Sequence, residues 1–169
     1  MMIKVARFMI LAIMVMALLS CQKSGPSPDV GKQAPEINAI DFNLHTYTLE
    51  SFKGKVVLIN LWSYTWGSCV ADLPLLERDI YSLYKSRGLE ILAICLSDNE
   101  DAIKSTIAPL NLTYRVLADK GGMTARAYKV TSIPMNLIVD KKGVIRYRNV
   151  GYDPSAMRSV IDKLLWVWK

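Results

Sequence analysis

The sequence predicts an α/β fold in which helices flank a mixed central sheet. Two runs of β-branched and aliphatic residues, 56–62 and 89–96, are too short for ordinary helices and indicate buried strands. An apolar pattern of helical spacing follows the first run. Near the end of the chain, Lys141-Lys142-Gly143 predicts a hairpin turn between two strands. Strands that alternate with helices favour a parallel sheet, and the hairpin makes it mixed.

The first 20 residues predict a secretory signal peptide. Lys4 and Arg7 give a basic start, and the apolar stretch 8–19 is too short to span a bilayer. The next residues are polar and contain Ser-Gly-Pro-Ser-Pro, which is typical of a tether. We therefore expect three parts: a signal peptide at 1–20, a lipidated cysteine with a tether at 21–35, and one domain at 36–169.

Turn residues place the remaining elements. Residues 40–49 alternate loosely and predict an N-terminal hairpin, and the helix after the first buried strand has one apolar face, made of Leu73, Leu76, Ile80, Leu83 and Tyr84. The later elements that we predict are a helix at 100–108, strands at 114–118, 133–140 and 144–150, a short helix at 121–128, and a last helix from Asp153-Pro154.

Residues 60–74, Asn-Leu-Trp-Ser-Tyr-Thr-Trp-Gly-Ser-Cys-Val-Ala-Asp-Leu-Pro, carry the strongest functional signal. They predict a strand, a tight turn and a helix with Cys69 in its first turn. The unpaired N–H groups and the helix dipole there favour the thiolate. Burial and the charge of Asp72 on the same helix face act in the opposite direction. The sequence leaves the net direction of the Cys69 pKa open.

This stretch resembles the active-site region of thioredoxin-fold proteins, in particular membrane-anchored thiol–disulfide proteins of the TlpA/ResA type. In that family, Trp-Cys-x-x-Cys follows the strand, and an acidic residue and a proline follow the second cysteine. A gapless match places Cys69 at the second cysteine and Trp66 at the first. The match is anchored by Asn60, Trp62, Asp72 and Pro74, and the resemblance covers residues 31–165.

The resemblance implies a thioredoxin-like domain whose site has lost one of its two sulfurs. Net dithiol–disulfide exchange needs two thiols, so the usual cycle within the motif is unavailable. Cys69 can still form a mixed disulfide or be oxidised to a sulfenic acid. Our working hypothesis is thiol–disulfide redox chemistry through Cys69, with a protein thiol or disulfide of the cell envelope as partner. A buried, inert thiol is the competing interpretation.

The resemblance also implies the other site residues. Pro134 matches a cis-proline that faces the motif, and Ile133 before it would offer its backbone to an extended peptide. The implied catalytic set is Cys69, Trp66, Asp72 and Pro134. The implied substrate-binding set is Trp66, Gly67, Ser68, Ile133 and Pro134.

Two other function classes compete with the redox hypothesis. The face made by Trp66 and Pro134 can serve a non-catalytic binding module. A one-Cys thiol peroxidase of the peroxiredoxin type is the second alternative, but it carries Thr-x-x-Cys, and Thr65 lies one place too early for that pattern.

Leu18-Leu19-Ser20-Cys21 resembles a bacterial lipobox. By that resemblance Cys21 is lipidated and becomes the mature N-terminus, facing the periplasm or the cell exterior. Gln22, a residue other than Asp, resembles an outer-membrane sorting signal of enteric-type bacteria. The predicted location is therefore the cell envelope, with the outer membrane as one option.

The remaining candidates point to structural roles. Cys95 ends the second buried strand; a disulfide with Cys69 would need Cα atoms within about 7 Å, and we favour a buried core thiol. His45, the single histidine, is interpreted as a solvated turn residue rather than a general base. We predict no metal site and no cofactor. The net charge of +6 comes without a Lys/Arg run, which argues against nucleic-acid binding.

Overall fold

The computed structural model describes residues 30–166. Within them we name seven strands in chain order: β1 (Ala39–Ile40), β2 (Thr46–Tyr47), β3 (Val56–Trp62), β4 (Leu89–Cys95), β5 (Arg115–Ala118), β6 (Met135–Val139) and β7 (Ile145–Val150). The main helices are α1 (Gly67–Leu76), α2 (Glu100–Ile107), α3 (Met123–Ala127) and α4 (Pro154–Trp166).

The strands form one sheet in the order β2-β1-β5-β4-β3-β6-β7. The central strands β3, β4 and β5 are parallel. The β6–β7 hairpin adds antiparallel to β3, and the short β1–β2 hairpin adds antiparallel to β5. The predicted α/β class, the mixed sheet and the N-terminal hairpin are therefore confirmed.

Every residue of β3 and β4 is buried, as expected for parallel strands covered on both faces. Side chains alternate between two apolar clusters. Val56, Leu58 and Trp62 belong to the cluster that contains the buried residues of α1, α2 and α4, whereas Val57 and Ile59 belong to the cluster on the other face. Cys69 and Cys95 both lie in the first cluster.

The predicted apolar face of the helix after β3 is right except for Leu83. Leu73, Leu76, Ile80 and Tyr84 are buried, but Leu83 is 52% exposed. After α1 the helix continues through a π-helical turn, Glu77–Tyr81, before one more turn, Ser82–Tyr84. A π turn shifts the residues that follow it around the helix. Tyr84 therefore stays on the buried side, and its hydroxyl donates to Asp162 Oδ2 over 3.0 Å.

The chain enters the domain along the β6–β7 hairpin. The Gly31 N–H donates to the Ile145 carbonyl and the Ala34 N–H to the Gly143 carbonyl, both over 2.8 Å. Residues 31–34, within the segment predicted as a tether, are thus bonded to the folded domain. The predicted signal peptide, Cys21 and residues 22–29 lie outside the described residues, as does the predicted end of the last helix at 167–169.

Candidate functional site

Residues 63–66, which we call the site turn, connect β3 to α1. The Ser63 hydroxyl lies 2.9 Å from the Thr65 hydroxyl, and the Trp66 N–H donates to the Ser63 carbonyl over 3.3 Å. The first helical bond follows, from the Val70 N–H to the Trp66 carbonyl over 3.2 Å. Cys69 is therefore the third residue of α1, in the first helical turn as predicted.

The two ends of the motif differ sharply in exposure. Trp66 precedes the helix and is 61% exposed, and Gly67 and Ser68 after it are also exposed. Cys69 is only 1% exposed. The position that matches the family's first cysteine is thus at the surface, while the sulfur of this chain lies beneath it.

The pKa of the Cys69 thiol is raised above its ordinary value, chiefly because burial disfavours the thiolate. The Ser63 N–H contacts the sulfur and acts in the opposite direction, and the charge of Asp72 raises the pKa further. The Cys69 N–H and the Ser68 hydroxyl lower it. Burial therefore outweighs the helix N-terminus, which settles the direction that the sequence left open.

Asp72 lies half-buried one turn along the same helix. Burial raises the pKa of its carboxyl group as well. A thiolate at Cys69 and a carboxylate at Asp72 disfavour each other, because both are negatively charged.

Cys95 ends β4 beside the end of β3. Its partner in the strand pairing is Trp62, and the Leu96 N–H donates to the Trp62 carbonyl over 2.8 Å. Both Cys69 and Cys95 are free and buried, so the predicted core thiol at 95 is confirmed. Burial raises the pKa of Cys95 to about 11; the Tyr64 N–H lowers it, and the charge of Cys69 raises it further.

Pro134 lies at the same end of the sheet. The Ile133–Pro134 peptide bond is cis, as predicted. Pro134 is buried, and Ile133 is half-buried and packs on the cluster that contains Cys69. Because Met135 pairs with Leu61, the Ile133–Pro134 bond and the start of the site turn meet at one end of β3.

A buried amide pair beneath this end of the sheet escaped the sequence analysis. The Asn60 Nδ2 donates to Asn136 Oδ1 over 2.9 Å, and the Asn136 Nδ2 donates to the Gly151 carbonyl over 3.0 Å. The pair links β3, β6 and the loop after β7. A polar amide inside the apolar run 135–139 was the signal, since a buried amide needs a partner.

His45 and a possible metal site were the other candidates. His45 has an exposed side chain whose Nδ1 lies 3.1 Å from Asp41 Oδ2, consistent with a turn histidine. Among residues 30–166, no three His, Cys, Asp or Glu side chains converge as metal ligands. None of the helices in this part of the chain is long and apolar enough to cross a bilayer.

An α/β sheet with a cysteine in the first turn of the helix after β3 and a cis-proline at the same sheet end defines a thioredoxin-like thiol protein. The Redoxin family model matches residues 29–165, and the chain belongs to that family.

Named relatives are thiol–disulfide oxidoreductases. The chain is 31% identical over 117 residues to the thiol-disulfide oxidoreductase ResA of Bacillus thuringiensis subsp. konkukian, covering 69% of this chain and 67% of that protein. It is 30% identical over 148 residues to ResA of Oceanobacillus iheyensis, covering 82% and 77%. These relatives support a thiol redox role.

Solved structures show the same fold. The thioredoxin domain of a thiol-disulfide oxidoreductase from Bacteroides vulgatus superposes with a TM-score of 0.73 at 24% identity, covering 82% of this chain and 99% of that domain. The predicted thioredoxin-like fold is therefore confirmed.

Proposed function

We propose that this protein is a thiol–disulfide redox protein of the bacterial cell envelope that acts through the single motif thiol of Cys69. Its partner would be a protein thiol or disulfide, bound as an extended segment along Ile133 and Pro134 and against Trp66, Gly67 and Ser68. Asp72 would hold the proton that Cys69 releases.

The position of the Cys69 sulfur carries this proposal. The sulfur lies in the first turn of α1 against the Ser63 N–H and the Cys69 N–H, two donors that stabilise a thiolate once it forms. The raised pKa means that most of the thiol is protonated at neutral pH. Reaction therefore requires the site turn to move, so that a partner can reach the buried Cys69 sulfur. The proton of the thiol would then pass to Asp72.

Alkylation of the folded full chain with iodoacetamide tests the proposal. The tryptic peptide 56–78 contains Cys69 and reports its labelling by mass spectrometry. We expect labelling without unfolding, with a pH midpoint above that of free cysteine. Cys69→Ser should abolish the covalent capture of a partner in cells. Labelling only after denaturation, or partner capture that survives Cys69→Ser, would refute the redox role.

The exposed indole of Trp66 favours a second candidate, a non-catalytic binding module. A tryptophan that is 61% exposed beside a cis-proline loop is the kind of apolar anchor that binding surfaces use. This function needs no sulfur chemistry. Trp66→Ala would then abolish partner binding, whereas Cys69→Ser would leave it intact.

The contacts of Thr65 and of two arginines argue against the peroxidase alternative. The Thr65 hydroxyl bonds to the Ser63 hydroxyl. Arg115 pairs with Glu90 and Arg146 with Asp140, both away from Cys69. We expect no peroxide consumption that depends on Cys69.

The location is proposed from the N-terminal sequence. The signal peptide at 1–20 and the lipobox support a lipid on Cys21, with the domain outside the cytoplasm. Metabolic labelling with a fatty acid should tag the wild-type protein, and Cys21→Ser should remove the tag and release the protein from the membrane fraction. A membrane-bound, untagged wild-type protein would contradict the lipid anchor.

A further inference from the structure

We propose that Cys95 is the second redox thiol of this protein and that it resolves mixed disulfides on Cys69 by forming an intramolecular Cys69–Cys95 disulfide. This inference rests on the proposed redox function of Cys69. Cys95 on β4 would then supply the second sulfur, which the motif lacks because Trp66 replaces the first cysteine.

The topology brings the two cysteines to one place. β3 and β4 are adjacent parallel strands, and Cys95 pairs in register with Trp62 at their carboxyl ends. The chain leaves Trp62 through the site turn and reaches Cys69 on the third residue of α1. Both side chains are buried in the same apolar cluster.

Backbone contacts place the sulfurs on neighbouring residues of the site turn. The Cys69 sulfur accepts from the Ser63 N–H, and the Cys95 sulfur accepts from the Tyr64 N–H. Consecutive Cα atoms are about 3.8 Å apart. The two sulfurs therefore lie against one short stretch of the site turn, and a disulfide between them needs Cα atoms less than about 7 Å apart. The charge of Cys69 also acts directly on Cys95.

The chemistry balances with a disulfide as the oxidant. The Cys69 thiolate attacks a disulfide R–S–S–R′ and forms Cys69–S–S–R, while R′–S⁻ leaves and takes a proton. Cys95 then loses its proton and attacks the Cys69 sulfur, and R–S⁻ leaves and is protonated. Two thiols of the protein are oxidised to one disulfide, and one external disulfide is reduced to two thiols. A reducing protein dithiol reverses the sequence.

The site turn determines when this reaction is possible. Its backbone lies against both sulfurs, with Ser63 and Tyr64 half-buried and Thr65 and Trp66 exposed. A partner that displaces the turn would expose Cys69 and remove the two N–H donors from the sulfurs together. Formation of the internal disulfide would then join the start of α1 to the end of β4.

Disulfide mapping of the full chain tests the proposal. The protein is reduced, exposed to oxidised glutathione, quenched with acid, alkylated and digested with trypsin. Cys69 and Cys95 lie in separate tryptic peptides, 56–78 and 88–104, and neither peptide contains Cys21. We expect peptides 56–78 and 88–104 to be joined in the wild type. In Cys95→Ala, glutathione should stay on Cys69 and leave at least tenfold more slowly than from the wild type.

The outcomes separate this inference from the proposed function. If the wild type keeps glutathione on Cys69 as long as Cys95→Ala does, Cys69 is redox-active but Cys95 does not resolve it, and the inference fails alone. If neither protein takes up glutathione on Cys69, both fail. Since wild-type mapping needs no variant, a folding defect in Cys95→Ala cannot mask the result. Cys95→Ser serves as a second variant of similar size.

Discussion

Two tryptophans flank the site turn and have opposite environments. Trp62 ends β3 and is fully buried, whereas Trp66, four residues later, is 61% exposed. Between them the chain turns from the inside of the sheet to the surface and, within three more residues, returns to the buried Cys69. Under the proposed function, the contrast would separate recognition from chemistry: the exposed residues would contact a partner, and the buried thiols would react only when the site turn moves.

Removal of each indole gives the largest contrast. Trp62→Ala should lower the free energy of unfolding by about 4 kcal/mol, because it leaves a large cavity in the core. Trp66→Ala should change it by less than about 0.5 kcal/mol, since the side chain is mostly in water. Chemical denaturation of both variants measures the difference. Equal losses would mean that Trp66 packs in solution.

A sulfur placed at the exposed position should convert the surface into a reactive site. We expect Trp66→Cys to accelerate reduction of a small disulfide by roughly a hundredfold, because an exposed thiol before the helix then has Cys69 three residues away. Trp66→Ser is the matched control, since it removes the indole without adding a thiol. Equal rates of disulfide reduction by the two variants would mean that the burial of Cys69, rather than the missing thiol at position 66, limits the reaction.

Alkaline pH should lower the stability of the folded protein through ionisation of the buried Cys95. The pKa of Cys95 is about 11 in the folded protein against an ordinary 9.0, so the folded state binds more protons between these values. Stability is therefore full below about pH 9 and falls toward about pH 11. A shift of this size corresponds to about 3 kcal/mol. Across this pH range the free energy of unfolding should fall less for Cys95→Ala than for the wild type. Ionisation of the buried tyrosines affects both proteins equally.

Neutralisation of Asp72 should have the smallest effect. Asp72→Asn removes a charge that raises the pKa of Cys69, so the pH midpoint for alkylation of Cys69 should move to lower pH. Burial remains the leading cause, so the midpoint should stay above that of free cysteine. Asp79→Asn is the control, because Asp79 pairs with Arg78 and is not among the leading causes of the Cys69 pKa shift. A midpoint that does not move would mean that the charge of Asp72 does not act on Cys69.

The fold was largely predictable because its signals are local and strong. The fully buried strands β3 and β4 appear in the sequence as unbroken apolar runs, and Asp153 caps α4 through its side chain, 3.0 Å from the Ala156 N–H. The prediction that Leu83 lies on the buried face was wrong, because one π turn rotates the end of the helix. This turn leaves no clear mark in the sequence. A spacing rule assumes a constant helical period.

The placement of the candidate site residues was predictable, but the pKa of Cys69 was not. The motif predicted Cys69 in the first helical turn, and the family resemblance predicted the cis-proline at Pro134; the structure contains both. The direction of the Cys69 pKa depends on how completely the surrounding side chains exclude water, and that is a property of the packed core. The approach of Cys95 depends on the pairing of β4 with β3, a contact between residues 33 positions apart in the chain.

The attachment of Gly31 and Ala34 to the β6–β7 hairpin has a consequence for how the protein would stand on a membrane. These residues bond near Val139, which pairs with Val57, whereas the thiols lie beyond Leu61 and Met135 at the other end of the same strands. The two ends are separated by four residues of strand, about 13 Å. A lipid on Cys21, as proposed, would therefore be joined through residues 22–30 to the end of the sheet opposite the thiols.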